Sequence, residues 1–458
     1  MTRTATRRRL LLPVVLSATF VQLLSVTVAQ VATPEIRADL AAGVGAGHLV
    51  LAGYTLAYAC VLITAARLGD RWGYRRLFVV GTAGFALAAT ACAFAPTIET
   101  LIAARLAQGL AAGLVTPQVF SLVQTALPPV RRPRALGLLG ATMAVASLTG
   151  PLLGGLLIGA DLFGLGWRPV FLLPVPVALA ALAGAVVLPP GGAAGWPRVD
   201  WLGAALVMAG LGLLVLPLSV GPGTGWPPWT LACLLGAAPV LACCVRAQRR
   251  GPAPLIHPDV LRDRGARTGV VLVLVFNAGV PSFTYLLFLH VQSVSGYSAT
   301  EAAVLSLPFA GAAIVGSASA VHLTPFLGGR LLTLGASLLA LTMGVLAVAV
   351  GTTPERWATV PALAVGGAAF GAFTASVFAL VLARAAPEAV GSVSGVLPTA
   401  QQLGGTLGIT LATLAYAAPA STPAGAWRHA MLYQAAVFLL AAAISLRLAP
   451  ARARRRPG

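Results

Sequence analysis

The chain has 458 residues, 58% of them hydrophobic and only 9% charged, against about 25% charged in a soluble domain. That balance excludes a soluble globular protein and points to an integral membrane protein whose surroundings are the lipid bilayer. The net charge of +19 comes from arginine alone, and most of these arginines lie in short loops between apolar runs, a mark of topology and not of nucleic-acid binding.

A helix needs about 20 apolar residues to cross the hydrocarbon core. Such runs fall at 10–33, 46–66, 77–95, 100–123, 135–159, 168–188, 200–220, 228–245, 269–290, 300–322, 330–350, 357–383, 391–417 and 428–448, fourteen in all. The first follows the basic stretch MTRTATRRR as a signal peptide would, yet it runs too long and lacks a small-residue cleavage site, so it is read as a span. An even count puts both termini on one side. Arg3, Arg7, Arg8 and Arg9 at the start and Arg452, Arg454, Arg455 and Arg456 at the end assign that side to the cytoplasm of a bacterial cell. The loops agree: Arg71, Arg75, Arg76, Arg131, Arg132, Arg134, Arg246, Arg249, Arg250, Arg262, Arg264 and Arg267 fall inside, and only Arg37, Arg168, Arg356 and Arg428 outside.

Pro- and Gly-rich residues 189–199 and the basic loop at 246–268 bracket spans seven and eight. The expected organisation is an N-terminal six-helix bundle at 1–190, two linker helices at 191–250, a basic cytoplasmic loop at 251–268, a C-terminal six-helix bundle at 269–448 and a basic tail at 449–458. Two repeated halves of six helices are what many secondary transporters show, with the substrate cavity between them near the midplane.

The connections and span ends carry recurring small motifs. After span two comes ARLGDRWGYRRL, where Asp70 can cap or pair with a neighbouring helix end, Gly73 allows a tight turn, and Arg71, Arg75 and Arg76 hold the loop inside. Span four carries IAARLAQGLAAG, with Arg105, Gln108 and Gly109. Span five contains GPLLGG, in which Gly150, Gly154 and Gly155 expose backbone for close helix packing and Pro151 bends the span. Span six begins GWRPVFLLPVP. In this order and at these span ends, the motifs resemble those of the major facilitator superfamily, and the fourteen spans are similar to its multidrug efflux branch, the drug:proton antiporters. The loop departs from the family's pattern at Ala66 and Tyr74, and Pro174 stands where span six usually has asparagine. The resemblance implies a major facilitator fold with two extra central helices. It also implies export of small amphipathic molecules by alternating access, proton antiport, a gating role for the Asp70 loop and an antiporter-type role for GPLLGG.

One expected residue is missing. In FVQLLSVTVAQVATP of span one, Ser25 occupies the position of the family's aspartate and Gln30 that of its asparagine. A buried carboxylate is the natural proton carrier of an antiporter, and a serine cannot replace it. Of the eleven acids, none is expected at mid-membrane. His290, at the outer end of span nine, is then the candidate for proton coupling. Arg105 therefore faces no expected anion. It can snorkel outward to Glu99 or headgroups, or it can line a hydrated cavity with Ser25, Thr27, Gln30, Gln108, Asn277, Tyr285 and Gln401 that favours neutral or anionic substrates over cations. An uncoupled facilitator or exchanger for such substrates, and a non-transporting receptor or scaffold on the same fold, stay open beside the antiporter.

An enzyme is not expected, because no GxSxG, HExxH or GxxxxGK[ST] pattern occurs. The cysteines Cys60, Cys92, Cys233, Cys243 and Cys244 lie inside apolar runs without a CxxC pair, so neither a metal nor a cofactor is expected.

Overall fold

The computed structural model describes residues 2–192, 200–250, 263–297, 299–349, 355–383, 390–420 and 422–448. Most of the basic loop (251–262), the tail (449–458), part of the first connector (193–199), and with them Asp259 and Glu388, lie outside the described residues.

In lipid every backbone N–H and C=O must find a partner within the protein, and a helix provides this along its own length. The chain accordingly forms α1 (Thr2–Asp39), α2 (Val44–Trp72), α3 (Tyr74–Ala93), α4 (Ile98–Ala126), α5 (Arg132–Ala160), α6 (Pro169–Leu172), α7 (Pro174–Gly184), α8 (Trp201–Thr224) and α9 (Pro228–Arg250). After the basic loop follow α10 (Arg264–Ser293), α11 (Ala299–Leu327), α12 (Gly329–Ala349), α13 (Glu355–Leu382), α14 (Val390–Tyr416) and α15 (Pro423–Leu446). No β-strand occurs among the described residues. Large side chains that a soluble protein would bury face outward, among them Leu87 at 72% and Leu235 at 77% exposure, as expected of a surface solvated by lipid.

Two spans differ from the others. The sixth, 168–188, is not one continuous helix: α6 and α7 are separate pieces ending in a 3-10 turn at Ala185–Val187, because Pro174 and Pro176 supply no backbone donors. Among the described residues, thirteen spans are long and apolar enough to cross a membrane. The fourteenth, 391–417, forms the 27-residue helix α14, made more polar than the rest by Gln401, Gln402 and its threonines.

Helices neighbouring in sequence do not simply pack in sequence order. α1 lies against α5 and α7, and α4 against both α2 and α3; beyond the basic loop α10 lies against α14 and α15, α11 against α13, and α12 against α13 and α15. These two groups meet where α5 contacts α11 and α13 and where α14 contacts α2 and α4. The additional helices are peripheral: α8 packs on α2 and α14, α9 packs on α8, and the Thr410 hydroxyl of α14 donates to the Leu218 carbonyl of α8 at 2.6 Å.

At the ends of α1 and α5, one contact absent from the sequence reading ties the first span to the sixth. Trp167, 1% exposed, donates its indole N–H to Asp39 Oδ2 at 3.0 Å, and Arg168 pairs with the same oxygen at 2.9 Å while lying over the Trp167 ring. Trp167→Phe keeps the ring and removes the donor. It should cost about 1 kcal/mol, seen as a lower melting temperature of the purified protein with its helix content unchanged.

Candidate functional site

The polar interior of the first group begins with a close helix approach. A Cβ at Gly109 would run into the Tyr54 backbone carbonyl, so only glycine lets α4 press against α2 here. One turn away this proximity sets Arg105 entirely within the protein, 0% exposed. Its Nε donates to the Val50 carbonyl at 3.1 Å, and Nη1 to Gln108 Oε1 at 2.7 Å and to Ser25 Oγ at 3.4 Å. Gln108 Nε2 in turn donates to Ser25 Oγ at 3.0 Å. The guanidinium lies over the Tyr54 ring at 4.5 Å from its centroid and near Phe171 at 5.7 Å. No carboxylate pairs with it among the described residues, and its Nη2 has no hydrogen-bond acceptor.

Arg105 thus turns inward instead of snorkelling to Glu99, and it meets Ser25 across 80 residues of sequence. Two aromatic rings and three neutral oxygens replace an anion. Cation–π contact of a desolvated guanidinium contributes up to about 2 kcal/mol, which offsets part of the burial.

Next to it runs a second chain of hydroxyls that sequence reasoning missed. Tyr58 donates to Thr116 Oγ1 at 3.0 Å, Thr116 to Gln22 Oε1 at 2.7 Å, and Tyr54 to the Gln22 carbonyl at 3.2 Å. A tyrosine within an apolar run gives no local sign of partners on two other helices.

The GPLLGG strip packs α5 onto α1. A Cβ at Gly150 would overlap the Thr27 side chain, and one at Gly154 would come within 3.3 Å of Val28; Gly155 is buried beside them. Thr27, expected in the cavity, lies in this seam and donates to the Ala146 carbonyl at 3.3 Å. Pro151 faces the other way. With Ser147 it forms one wall of a narrow cleft whose other walls are Phe283, Thr284, Leu287 and Phe288 of α10 and Ser306 and Phe309 of α11.

The structure therefore separates what the sequence had placed in one cavity. Arg105, Ser25 and Gln108 form a packed, hydrogen-bonded cluster in which only the Arg105 Nη2 is left without an acceptor, and none of the three lines the cleft between α5, α10 and α11. Gln30, Tyr285 and Gln401 are half-buried elsewhere on α1, α10 and α14, and Asn277 donates to the Val273 carbonyl of its own helix at 2.8 Å.

In the loop between α2 and α3, Gly73 takes φ 94°, the left-handed region that the turn requires and that other residues avoid. Asp70 accepts from the Tyr74 hydroxyl at 2.9 Å and pairs with Arg67 at 3.7 Å. Both partners belong to the same hairpin. The Tyr74 contact joins Asp70 to the first residue of the neighbouring helix α3, and the donor is the residue that departs from the family's pattern. The Arg75 backbone N–H donates to the Pro190 carbonyl at 3.2 Å, fastening the loop to the end of the first group; Arg71 is half-buried and Arg76 exposed.

His290 is buried near the end of α10, 3% exposed. Its Nδ1 is 3.1 Å from the Tyr416 hydroxyl, and its ring is 4.6 Å from that of Trp427. It is far in sequence from both, on α14 and α15.

Membrane-length helices in two groups around a cleft at mid-depth define a polytopic transporter fold. Residues 15–409 match the Major Facilitator Superfamily, and the chain belongs to that family. It is 38% identical over 416 residues to a probable actinorhodin transporter of Streptomyces coelicolor, covering 88% of this chain and 72% of that protein. Similarity extends to the puromycin resistance protein of Streptomyces alboniger, at 33% identity over 95% of this chain and 90% of that one. The tetracenomycin C resistance and export protein of Streptomyces glaucescens is 31% identical over 83% and 71% respectively. Among solved structures, a proton:xylose symporter of the same superfamily superposes with a TM-score of 0.69 at 15% identity, covering 98% of this chain and 97% of that one; at that identity the likeness concerns the fold.

Proposed function

We propose that this chain exports small amphipathic, drug-like molecules from a bacterial cytoplasm by alternating access, with both termini cytoplasmic and the six-two-six division of helices read from the sequence. The observation that carries the reading is the cleft between α5 of one helix group and α10 and α11 of the other, where relative movement of the groups would expose a bound molecule to either side in turn. The names of the relatives, which are transport, resistance and export proteins for antibiotics, support the direction of transport.

Proton coupling through His290 is part of the proposal. A second reading, an uncoupled facilitator or exchanger, is favoured by the Arg105 cluster, where the family's usual carboxylate is Ser25. Reconstitution into liposomes separates these. Wild type should move a fluorescent aromatic substrate, and an imposed pH gradient should accelerate it severalfold. His290→Gln should lose that acceleration yet retain substrate exchange at equal pH. Acceleration persisting in the variant removes His290 from the proton path, and flux indifferent to the gradient in wild type selects the facilitator. Absence of any flux would point to a receptor or scaffold and end the transport reading.

A further inference from the structure

None of the residues lining the cleft belongs to α8 or α9, yet α8 is placed to act on the movement of the two helix groups. It holds the first group by a broad apolar seam: Ala204, Val207 and Leu211 of α8 pack with Ile63 of α2, and the Cys60 thiol of α2 donates to the Met208 carbonyl at 3.4 Å. Further along, from Met208 to Leu218 and so about 15 Å up the helix at 1.5 Å per residue, α8 meets the second group at a polar point. There Thr410 of α14 donates to the Leu218 carbonyl at 2.6 Å.

Both ends of this bond are poised. A carbonyl inside a helix ordinarily accepts from the N–H four residues on, but four residues beyond Leu218 stands Pro222, which has no N–H to give. In a bilayer an unpaired backbone carbonyl is costly. The Thr410 hydroxyl, 2% exposed, supplies the missing donor from the other helix group. It also has a second acceptor in reach, the Thr406 carbonyl of its own helix at 3.0 Å. A hydroxyl carries one proton, so when the groups part at this point Thr410 keeps a partner and Leu218 loses one. In the same arrangement α5 and α13 are closed on each other: a Cβ at Gly140 would lie 2.7 Å from the Thr374 carbonyl.

We propose that the Thr410–Leu218 bond is a latch: α8, carried by the first group, hooks the second through a carbonyl that Pro222 leaves free, and so holds the protein in the arrangement with the α5–α13 seam closed. The proposal rests on the alternating-access reading above and gives the first of the two additional helices a part in it.

Thr374→Cys places a thiol in that seam, where the side chain is 7% exposed. Its modification by a polar thiosulfonate, followed by mass spectrometry of the peptide carrying residue 374 from the full chain in lipid nanodiscs, reads how often the seam opens. Thr410→Val keeps the shape and removes the donor. In the reporter protein it should speed modification about fivefold or more, the effect of leaving one acceptor unpaired. Thr410→Ser, which keeps the hydroxyl, should leave the rate within about twofold. Pro222→Ala returns an N–H to the Leu218 carbonyl, so in that background Thr410→Val should change the rate by less than about twofold. A Thr410→Val protein that labels no faster, a Thr410→Ser protein as fast as Thr410→Val, or a fivefold effect that persists without Pro222 would each overturn the latch. Flux on the same variants separates the two levels: a labelling shift in a protein that moves no substrate keeps the latch and ends the transport reading, whereas transport with labelling unmoved by Thr410→Val ends the latch alone.

Discussion

Arg105→Met should abolish most transport, by tenfold or more, while leaving the purified protein as stable to heat as wild type or more so. The two halves of this result have different origins. The guanidinium is wholly buried and has no carboxylate partner among the described residues, so its desolvation is only partly offset by Ser25, Gln108, Val50 and the Tyr54 ring. Replacing a buried charge by an apolar side chain of similar length is often neutral or stabilising by about 1–4 kcal/mol. Methionine would fill the space between Tyr54 and Phe171, and Gln108 and Ser25 would keep their mutual hydrogen bond. A residue that costs stability and is not needed for packing is there for conformational or substrate work, and losing one charge-assisted hydrogen bond in a transport intermediate is enough for about a tenfold effect. Arg105→Lys should recover little, because an ammonium cannot reach Val50, Gln108 and Ser25 from one fork. Thermal melting together with proteoliposome flux makes the check. A stable Met variant with normal flux would reduce Arg105 to filler.

The second large effect is expected at Gly140→Leu, which should leave the chain inserted and folded but trap it away from the arrangement described here. Gly140 of α5 sits where the two helix groups touch: a Cβ there would lie 2.6 Å from Ala375 Cα and 2.7 Å from the Thr374 carbonyl on α13. Close by in the same end of the bundle, Phe120 of α4 stacks on Phe378 of α13 with centroids 5.2 Å apart. These contacts lie toward the ends of α5, α4 and α13 that the arginine-rich loops assign to the cytoplasm, below the cleft. Overpacking costs about 1–3 kcal/mol, which shifts a two-state balance by about 5-fold to 150-fold. A cysteine introduced near Phe120 should then react with a polar thiol reagent from the inner side much faster than in the Gly140 protein. Flux should fall with it. Phe120→Ala should shift the balance in the same direction but less, since it removes a contact instead of forbidding one. Unchanged labelling in Gly140→Leu would mean that this seam does not open during transport.

The legible part of the site was its inventory, and the illegible part its geometry. Arg105 drew attention because a charge in an apolar run has no local explanation, and Ser25 because the motif around it lacks an acid. Neither residue says which way the long arginine side chain turns. Snorkelling to Glu99 and pairing with Ser25 are equally compatible with helix arithmetic, and the difference lies in how closely Gly109 lets α4 approach α2. Asp70 is similar: its loop is recognisable, yet the identity of its partners depends on Tyr74 folding back across the turn at Gly73.

The membrane nature of the chain, the apolar runs that form its helices and the family's loop and glycine motifs were legible in the sequence alone, because a bilayer imposes a length and an apolarity on the segments that cross it. The breaks within spans follow from proline, also a local matter. Where the cleft lies, and which residues face it, was decided only by tertiary structure. Phe283, Phe309 and Ser147 are unremarkable members of apolar helices, indistinguishable in sequence from core or lipid-facing neighbours. They come together because α5 lies between the two helix groups, presenting Pro151 to α10 and α11 and its glycines to α1. Which face of a uniformly apolar helix meets protein, lipid or cavity is set by the packing of distant helices, and small residues encode that packing through the approach they permit rather than through any contrast in polarity.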